Sequence, residues 1–339
     1  MNPPSDIVIR PLRAADLAAA DRIYRLAFGT QFGLADPLQF RGDTAIIRTR
    51  WTMDPRPCFV AVAGDRVVGS VVGMDWGSAF ILGPLTVAPA DANHGIGRRL
   101  MKAAMAFVAE RGFPLAALYT LPNSAKHLHF YESYGFEAQR LTPVMAKPVT
   151  QNRSGDFAWT SPPSLPSPSR GEGQGGGESL RCNLYSNLAP AEREAAIAAC
   201  RTVADSVFPD LDLTREIAAM AEQNLGETLL LARDGTIAGF ALCHLGKGSE
   251  AGSGVLFIKF ACVRPGAADD FATLLDACET LAAQRGAQRI VAGVNMARQA
   301  AYRIMLARGY RAEIVGVAML RPAQPGWNRP DIFALDDWR

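Results

Sequence analysis

Two glycines and one tyrosine in the first half of the chain have the types and spacing that indicate chemistry. Gly95 and Gly97 follow Pro89 at the start of a segment with helical periodicity. Backbone N–H groups exposed at a glycine-marked helix start can bind a pyrophosphate without any charged side chain. Tyr131 lies on the next predicted helix, after Asn123. The arrangement predicts a nucleotide cofactor with a phenol beside it.

Four predicted elements must position these residues. The spacing of apolar residues predicts a strand over 80–87, a helix over 97–111, a strand over 115–121 and a helix over 124–134. One face of the first helix is apolar and consists of Leu100, Met101, Ala104, Phe107 and Val108. A helix with such a face packs on a sheet. The two glycines then lie where the strand ends and the helix begins.

This segment resembles the GNAT superfamily of acetyl-CoA-dependent N-acetyltransferases. The family's pyrophosphate loop reads Val-x-Pro-x-x-Gln/Arg-x-x-Gly-x-Gly/Ala, and its later helix often ends in Phe-Tyr-x-x-x-Gly-Phe. The chain has the first motif over residues 87–97 and a similar Phe-Tyr and Gly-Phe pair over 130–136. It departs from the pattern at Ala92, where the family usually has Gln or Arg, and at Asn93, where a glycine is common.

The resemblance implies a role for each of these residues. The exposed backbone of Leu85, Thr86 and Val87 is expected to bind the pantetheine arm and the thioester oxygen of acetyl-CoA. The residues expected to bind the pyrophosphate are Asn93, His94, Gly95, Ile96, Gly97 and Arg98. Asn123 is expected to hold the cofactor, and Tyr131 to donate a proton to the coenzyme A thiolate. The implied reaction is direct attack of a primary amine on the thioester in a ternary complex.

No general base is evident in the sequence. The strand over 79–87 contains no Glu, Asp or His, and Asp75 is the nearest carboxylate, for which a solvated loop position is the more ordinary role. His127 and His129 lie two residues apart, so they face different directions on a helix and form no metal pair. We therefore assign no metal. Substrate choice is expected to depend on the first two helices, predicted over 14–28 and 40–53, and on the loop after Asp75. Phe28, Phe32, Trp51 and Trp76 indicate an aromatic pocket there.

The order of predicted elements repeats in the second half. Val87 corresponds to Val263, 176 residues later, and the Gly135-Phe136 pair corresponds to Gly309-Tyr310, 174 residues later. An internal duplication explains this spacing better than chance. We therefore predict an α/β (α+β) fold with two tandem GNAT-like domains, each with a mixed, mostly antiparallel central sheet flanked by helices.

The second copy lacks the residues of the predicted pyrophosphate loop over 93–98, which we call the cradle. Neither offset brings a glycine onto Gly95 or Gly97, and the acidic pair at 269–270 repels a pyrophosphate. Asn123 corresponds to Ala297 and Tyr131 to Met305. Tyr302 could replace the tyrosine and Asn295 the asparagine, but core packing explains Tyr302 more simply and a strand-end cap explains Asn295. We predict a degenerate second domain without a cofactor site.

Composition predicts the domain boundaries. Between 160 and 179, 14 of 20 residues are Pro, Ser or Gly, as expected of a flexible linker. The predicted division is a catalytic domain over 1–148, a linker over 149–181, a degenerate domain over 182–321 and a tail over 322–339. Trp327, Phe333 and Trp338 are costly to expose, so the tail is expected to dock on a domain or across the interface of the two copies.

Charge and cysteine content limit the class of protein. A net charge of +2 with scattered basic residues argues against nucleic acid as a partner, and no apolar run is long enough to cross a membrane. The six cysteines have no Cys-x-x-Cys spacing, which favours reduced, mostly buried thiols. These features predict a cytoplasmic protein. The two copies form a pseudo-dimer within one chain, which is itself a monomer or a homodimer.

Three hypotheses for the function remain open at the sequence level. The favoured one is an acetyl-CoA-dependent N-acetyltransferase that acts on a small-molecule or peptide amine. The second is a non-catalytic sensor of acyl-CoA or another metabolite, which the departures at Ala92 and Asn93 and the missing base would fit. The third is an interaction module that uses the degenerate domain as a docking surface.

Overall fold

The computed structural model describes residues 7–150 and 180–339. The first half contains, in chain order, β1 (Ile7–Pro11), α1 (Leu17–Gln31), α2 (Ile46–Met53), β2 (Phe59–Ala63), β3 (Arg66–Trp76), β4 (Ala79–Val87), α3 (Ile96–Arg111), β5 (Leu115–Thr120), α4 (Ala125–Glu132) and β6 (Glu137–Pro148). The second half contains β7 (Leu180–Leu184), α5 (Pro190–Val207), α6 (Thr214–Glu222), β8 (Gly226–Arg233), β9 (Thr236–Gly246), β10 (Gly252–Val263), α7 (Ala268–Gln284), β11 (Arg289–Gly293), α8 (Gln299–Ala307), β12 (Arg311–Arg321) and β13 (Ala334–Leu335). The predicted linker lies almost entirely outside the described residues.

One mixed sheet runs through both halves. Its order is β1-β2-β3-β4-β5-β12-β6-β11-β10-β9-β8-β7, with β13 added beside β10. Among the described strands, the pairs β4–β5 and β10–β11 are parallel and the other pairs are antiparallel. Helices flank the sheet, so the predicted α/β class with a mixed, mostly antiparallel sheet is confirmed, but one sheet spans both halves where two were predicted.

The two halves exchange their last long strands. β12 of the second half pairs with β5 of the first half, and β6 of the first half pairs with β11 of the second. β6 and β12 also pair with each other at the centre of the sheet. Alternation of side chains along a strand predicts that a strand exists but not which neighbour it takes. The exchange is therefore visible only in the structure.

Two helices of the second half have no counterpart in our sequence prediction. α5 begins with Pro190 at its first turn and buries one face that includes Cys200, Val203 and Val207. α6 buries Ile217 and Met220. A proline at the first helical turn and apolar residues spaced by three and four are helix signals that could have predicted α5 from the sequence.

The helix predicted over 40–53 begins only at Ile46. Arg41 and Gly42 have φ angles of +63° and +53°, which a right-handed helix does not accept. Arg25 of α1 fixes this loop, because its guanidinium donates to the carbonyl oxygens of Phe40 and Gly42 at 2.8 and 2.6 Å. The sequence pattern does not reveal this contact.

The tail packs against both halves, as predicted. Trp327, Phe333 and Trp338 are all at most 5% exposed. The buried guanidinium of Arg298 donates to the carboxylate of Asp336 at 3.0 and 3.1 Å, and the indole of Trp327 donates to the same carboxylate at 2.7 Å. The tail is thus part of the core rather than an appendage.

All six cysteines are buried and free, as the sequence analysis expected. Within the described part of the chain, no helix is long and apolar enough to span a membrane.

Candidate functional site

The site opens where β4 and β5 separate. Their parallel pairing runs from Ala79–Leu115 to Leu82–Leu118 and then stops, although β4 continues to Val87. On its other side β4 stays paired with β3, with an irregularity around Gly83. The edge of β4 over 83–87 that faces β5 is therefore not paired with that strand, and its backbone groups face the gap.

A cavity of about 910 Å³ fills this gap. Its cradle end is formed by residues 85–87, by the turn over 92–98 and by one side of α4. Its aromatic end is formed by Tyr24, Phe28, Phe40, Tyr119, Ile314 and Trp338. This volume and an apolar wall with a few polar groups are typical of a small-molecule site.

The cradle end has the backbone geometry of an anion site. Gly95 precedes the first residue of α3 and has a φ angle of +76°, and Asn93 has +66°. A Cβ atom on Gly97 would make only ordinary contacts with Leu85, Val87 and Phe130 at 3.8–3.9 Å, so a side chain larger than alanine is needed to fill the cavity at the helix start. N–H groups at the start of a 16-residue helix then face the cavity with the positive end of the helix dipole.

Two cationic side chains lie at the cradle end of the cavity. Arg98 and Lys126 line it, and the Lys126 ammonium donates to the Asn93 side-chain oxygen at 2.9 Å. Among the described residues that line the cavity there is no Asp or Glu side chain. The nearby carboxylate of Asp91 is bound by Arg66 at 2.7 and 2.8 Å, which lowers the pKa of Asp91. The cradle end therefore favours a negatively charged ligand.

Tyr131 lies in the wall of the cavity on α4. Its ring packs edge-on against Phe130 and Phe136, with centroids 5.1 and 6.4 Å apart. Burial raises the pKa of Tyr131 to about 12. The phenol is therefore protonated throughout the neutral range and can donate a hydrogen bond there.

The structure brings most of the predicted site residues to this cavity. The ones that line it are Leu85, Thr86, Val87, Asn93, Gly95, Ile96, Gly97, Arg98 and Tyr131. His94 is exposed beside the cradle, with its Nδ1 atom 3.2 Å from the Asp91 carbonyl oxygen. Asn123 lies in the exposed turn before α4 and is not part of the lining.

The structure corrects the reading of Asp75. It is not a solvated loop residue but a 9%-exposed residue of β3, at the opposite end of β4 from the cavity. Arg215 donates to it at 3.1 Å, and Arg56 lies 3.7 Å away. Asp75 therefore binds the second half to the first and does not reach the site.

The expected aromatic pocket is only partly correct. Phe28 and Phe32 line the cavity. Trp51 instead donates to the Leu12 carbonyl oxygen at 2.9 Å, and Trp76 is buried and donates to Glu216 of α6 at 2.9 Å. Neither tryptophan lines the cavity, because both turn toward other parts of the core.

A buried ionic network behind β4 supports the site, and no sequence motif predicts it. Arg50 donates to the Gly83 carbonyl oxygen at 2.7 Å and to the Glu250 carboxylate at 2.6 and 3.1 Å. Lys259 joins Glu250 and Glu216 at 2.7 and 2.9 Å. Burial alone would raise the pKa of Glu250, but the charges of Arg50 and Lys259 hold it well below its ordinary value. The second half thus holds the irregular part of β4 in place.

A second cleft lies at the corresponding place between β10 and β11, and the tail closes it. β11 pairs with β10 only up to Ile258–Ala292, and β13 then takes the same edge of β10 at Ala261 and Cys262. These two residues lie 176 positions after Leu85 and Thr86. The Phe333 carbonyl oxygen accepts a hydrogen bond from the Val263 N–H at 3.1 Å. Protein backbone occupies this edge, which is open in the first half.

Apolar side chains fill the place of the cradle in the second half. Phe271, which occupies a cradle-glycine position at either offset, is fully buried and packs on Phe333 of the tail with ring centroids 5.6 Å apart. Asp270 is paired with Arg233. Asn295 caps the end of β11, donating to Thr142 of β6 at 2.8 Å. No group of three or more potential metal ligands occurs within residues 7–150 and 180–339.

Comparison with known proteins agrees with this geometry. Residues 54–138 match the family model of the acetyltransferase (GNAT) domain. A structure from Pyrococcus horikoshii assigned to the acetyltransferases has 15% identity, covers 98% of this chain and 95% of its own, and gives a TM-score of 0.63. A GCN5-related N-acetyltransferase from Sphaerobacter thermophilus has 18% identity, covers 94% and 96%, and gives 0.57. No curated protein matches the chain.

The match to a third structure covers most of this chain but only part of the other protein. The GCN5-related glucosamine N-acetyltransferase region of a fungal multi-domain β-N-acetylglucosaminidase has 15% identity, covers 93% of this chain and 38% of its own, and gives a TM-score of 0.59. At these identities the likeness concerns the fold. The two halves together are therefore similar in fold to these structures, and the family match lies on the half that carries the open cavity.

Proposed function

We propose that this protein is an acetyl-CoA-dependent N-acetyltransferase whose active site is the cavity between β4 and β5. The observation that carries the proposal is that one cavity is lined by the unpaired edge of β4, by the glycine-marked start of α3 and by Tyr131. The match of 54–138 to the GNAT domain supports the same assignment. The acceptor is a primary amine of a small molecule or a peptide.

The residues present fit coenzyme A. The start of α3, with Arg98 and Lys126 beside it, suits a pyrophosphate, since N–H dipoles and cations face the cavity there without a carboxylate among the described lining residues. The backbone of 85–87 suits the amide groups of a pantetheine arm. Bound acetyl-CoA supplies the acyl group as a thioester. The chain's own contribution is to hold that thioester and to align the amine with it.

The role of Tyr131 follows from its pKa. At about 12 it lies above the pKa of an ordinary thiol, about 8.5, so complete transfer of the phenolic proton to a thiolate is uphill by several pKa units. A hydrogen bond from the phenol to the leaving sulfur stabilises its developing charge without that cost. We therefore assign Tyr131 as a hydrogen-bond donor to the leaving thiolate.

We further propose that the second half is a degenerate copy of the first. The two halves repeat the same order of elements, and the tail and Phe271 fill the second cleft where the first is open. Only the first half then binds cofactor. The boundaries at 148, 181 and 321 and a cytoplasmic location remain predictions.

The test is calorimetric titration of the full chain with acetyl-CoA, followed by an amine-dependent assay for free thiol. We expect one site per chain and thiol release that requires an amine. If acetyl-CoA does not bind, the proposal is wrong.

The second candidate is a non-catalytic acyl-CoA sensor. The lack of a carboxylate among the described lining residues favours it, because a general base is then harder to supply. It predicts binding of acetyl-CoA with no thiol release from any amine.

A further inference from the structure

The aromatic end of the cavity contains two guanidinium groups. Arg41, from the loop between α1 and α2, and Arg339, from the tail, both line it. The pKa of Arg41 is lowered by burial and by the charge of Arg339, which shows that the two cations act on each other. Arginine keeps its proton at neutral pH even so. Two positive charges therefore face one partly closed space.

The two cations share one nearby carboxylate, that of Asp337, which also acts on Arg41 through its charge. The Arg339 guanidinium is paired with Asp337 at 2.8 Å. Arg41 lies beside Tyr24, and none of the described residues places a carboxylate within ion-pair distance of its guanidinium. Arg41 is half-buried, and a charge that is partly removed from water without a close counter-charge is costly, so such a group is normally paired or bound to a ligand. Arg41 therefore leaves an excess positive charge in the cavity.

The loop holds Arg41 in place before any ligand binds. Its φ angle of +63° is unusual for a residue other than glycine, so the surrounding structure must impose it. Arg25 supplies this restraint through its bonds to the carbonyl oxygens on both sides, at Phe40 and Gly42. A cation held in this way loses less conformational entropy when it binds an anion.

Unpaired hydrogen-bond donors lie in the same wall. The buried Tyr119 hydroxyl, the Trp338 indole nitrogen and the Arg339 Nη2 atom have no protein partner among the described residues. All three residues line the cavity. A wall of donors and cations is complementary to a group that has only acceptors, such as a carboxylate or a phosphate.

We propose that the acceptor amine also carries an anionic group, a carboxylate or a phosphate, which Arg41 and Arg339 bind. The remaining surface at this end consists of Tyr24, Phe28, Phe40 and Ile314, so the part of the acceptor beside the anion is apolar. The tail of the second half thereby takes part in acceptor choice through Arg339. This inference rests on the proposed transferase function, because it concerns the second substrate of that reaction.

The experiment compares matched amines. A panel of α-amino acids, their aminophosphonate analogues and the corresponding decarboxylated amines, such as phenylalanine against phenethylamine, is assayed for thiol release with acetyl-CoA. The same compounds are titrated calorimetrically into the protein saturated with coenzyme A, so that binding is measured even without turnover. We expect the preferred acid to exceed its neutral partner by about 10–100-fold in kcat/KM and in affinity, which is typical of hydrogen bonds to a charged group.

Three variants make the test specific. Arg41→Gln is expected to remove this preference by raising the KM of the acid far more than the KM of its neutral partner. Tyr119→Phe, which removes only an unpaired hydroxyl, is expected to reduce the preference less and guards against misfolding of the first variant. Arg22→Gln removes an exposed arginine of α1 and is expected to change nothing.

The outcomes separate the two proposals. Loss of acetyl-CoA binding in the wild type defeats the transferase itself. Normal acetyl-CoA binding with no acid preferred over its neutral partner, in either assay, overturns only the anion proposal. An acid preference that survives Arg41→Gln overturns it as well. The carboxylate and phosphonate arms then show which anion fits.

Discussion

The two clefts of this protein differ in what occupies one strand edge. In the first half the edge of β4 beyond Leu82 is open to a cavity, whereas in the second half β13 covers the edge of β10. The first cleft has a glycine at its helix start, and the second has the buried ring of Phe271 near that place. The polar groups of an unpaired strand edge need partners, and the comparison shows two arrangements, an edge open to a cavity and an edge covered by a segment of the chain itself.

The largest expected effect concerns the closure of the second cleft. Asp336→Ala leaves the fully buried guanidinium of Arg298 without its counter-charge, which should cost about 3–5 kcal/mol in the free energy of unfolding. Chemical denaturation measures it. The matched control is Glu313→Ala, at a pair with Arg289 in which both side chains are more than 40% exposed, and there we expect at most about 1 kcal/mol. Similar small losses in both variants would show that the tail is not held as we describe.

The next effect concerns the open cleft. Gly97→Trp should weaken acetyl-CoA binding by at least about 100-fold, or 2.7 kcal/mol, because the ring fills the space between Leu85 and Phe130. Gly97→Ala is the control, since its Cβ atom makes only ordinary contacts at 3.8–3.9 Å and should be tolerated. Calorimetry gives the affinity and the number of sites. A second site that persists in Gly97→Trp would contradict the closure of the second cleft.

Loss of a tyrosine hydroxyl should lower kcat on α4 but not on α8, the corresponding helix of the second half. Tyr131→Phe is expected to lower kcat by about 10–100-fold with the dissociation constant of acetyl-CoA unchanged, because one hydrogen bond to the leaving sulfur is lost. Tyr302→Phe on α8 tests the same change in the second half, where the ring packs on the core and no effect is expected. Equal rates for wild type and Tyr131→Phe would favour the sensor.

The pH dependence sharpens this assignment. Burial raises the pKa of Tyr131 from its ordinary value near 10 to about 12, so the folded protein keeps the phenolic proton over that interval. The ratio of kcat between wild type and Tyr131→Phe should therefore stay constant from pH 9 to 10.5. A ratio that falls as the pH passes 10 would indicate an unshifted phenol.

The smallest expected effect is at Asp75. Asp75→Asn should change kcat by less than about twofold, since the residue binds Arg215 outside the cavity. The thiol-release assay at saturating substrate measures this. A loss of more than tenfold, with the unfolding transition preserved, would make Asp75 a candidate base after all.

Local patterns were enough to predict the elements around the cradle. The helix predicted over 97–111 spans Ile96–Arg111, and the strand predicted over 80–87 spans Ala79–Val87. Both have a regular apolar period and clear ends, which depend on nearby residues only. The predicted helix over 40–53 began too early because Arg25, distant in sequence, holds the loop before it. Asp75 was misplaced for the same reason, since its partner Arg215 lies 140 residues away.

The sequence by itself determined the α/β class, the glycine-marked helix start, the tyrosine on the following helix and the burial of the tail, because periodicity, turn chemistry and large apolar side chains act locally. Only the tertiary structure decided the exchange of β6 and β12, the network of Arg50, Glu250 and Lys259, and the closing of the second cleft by β13. These features join residues far apart in the chain. Strand edges and buried charges specify the need for a partner but not its position in the sequence.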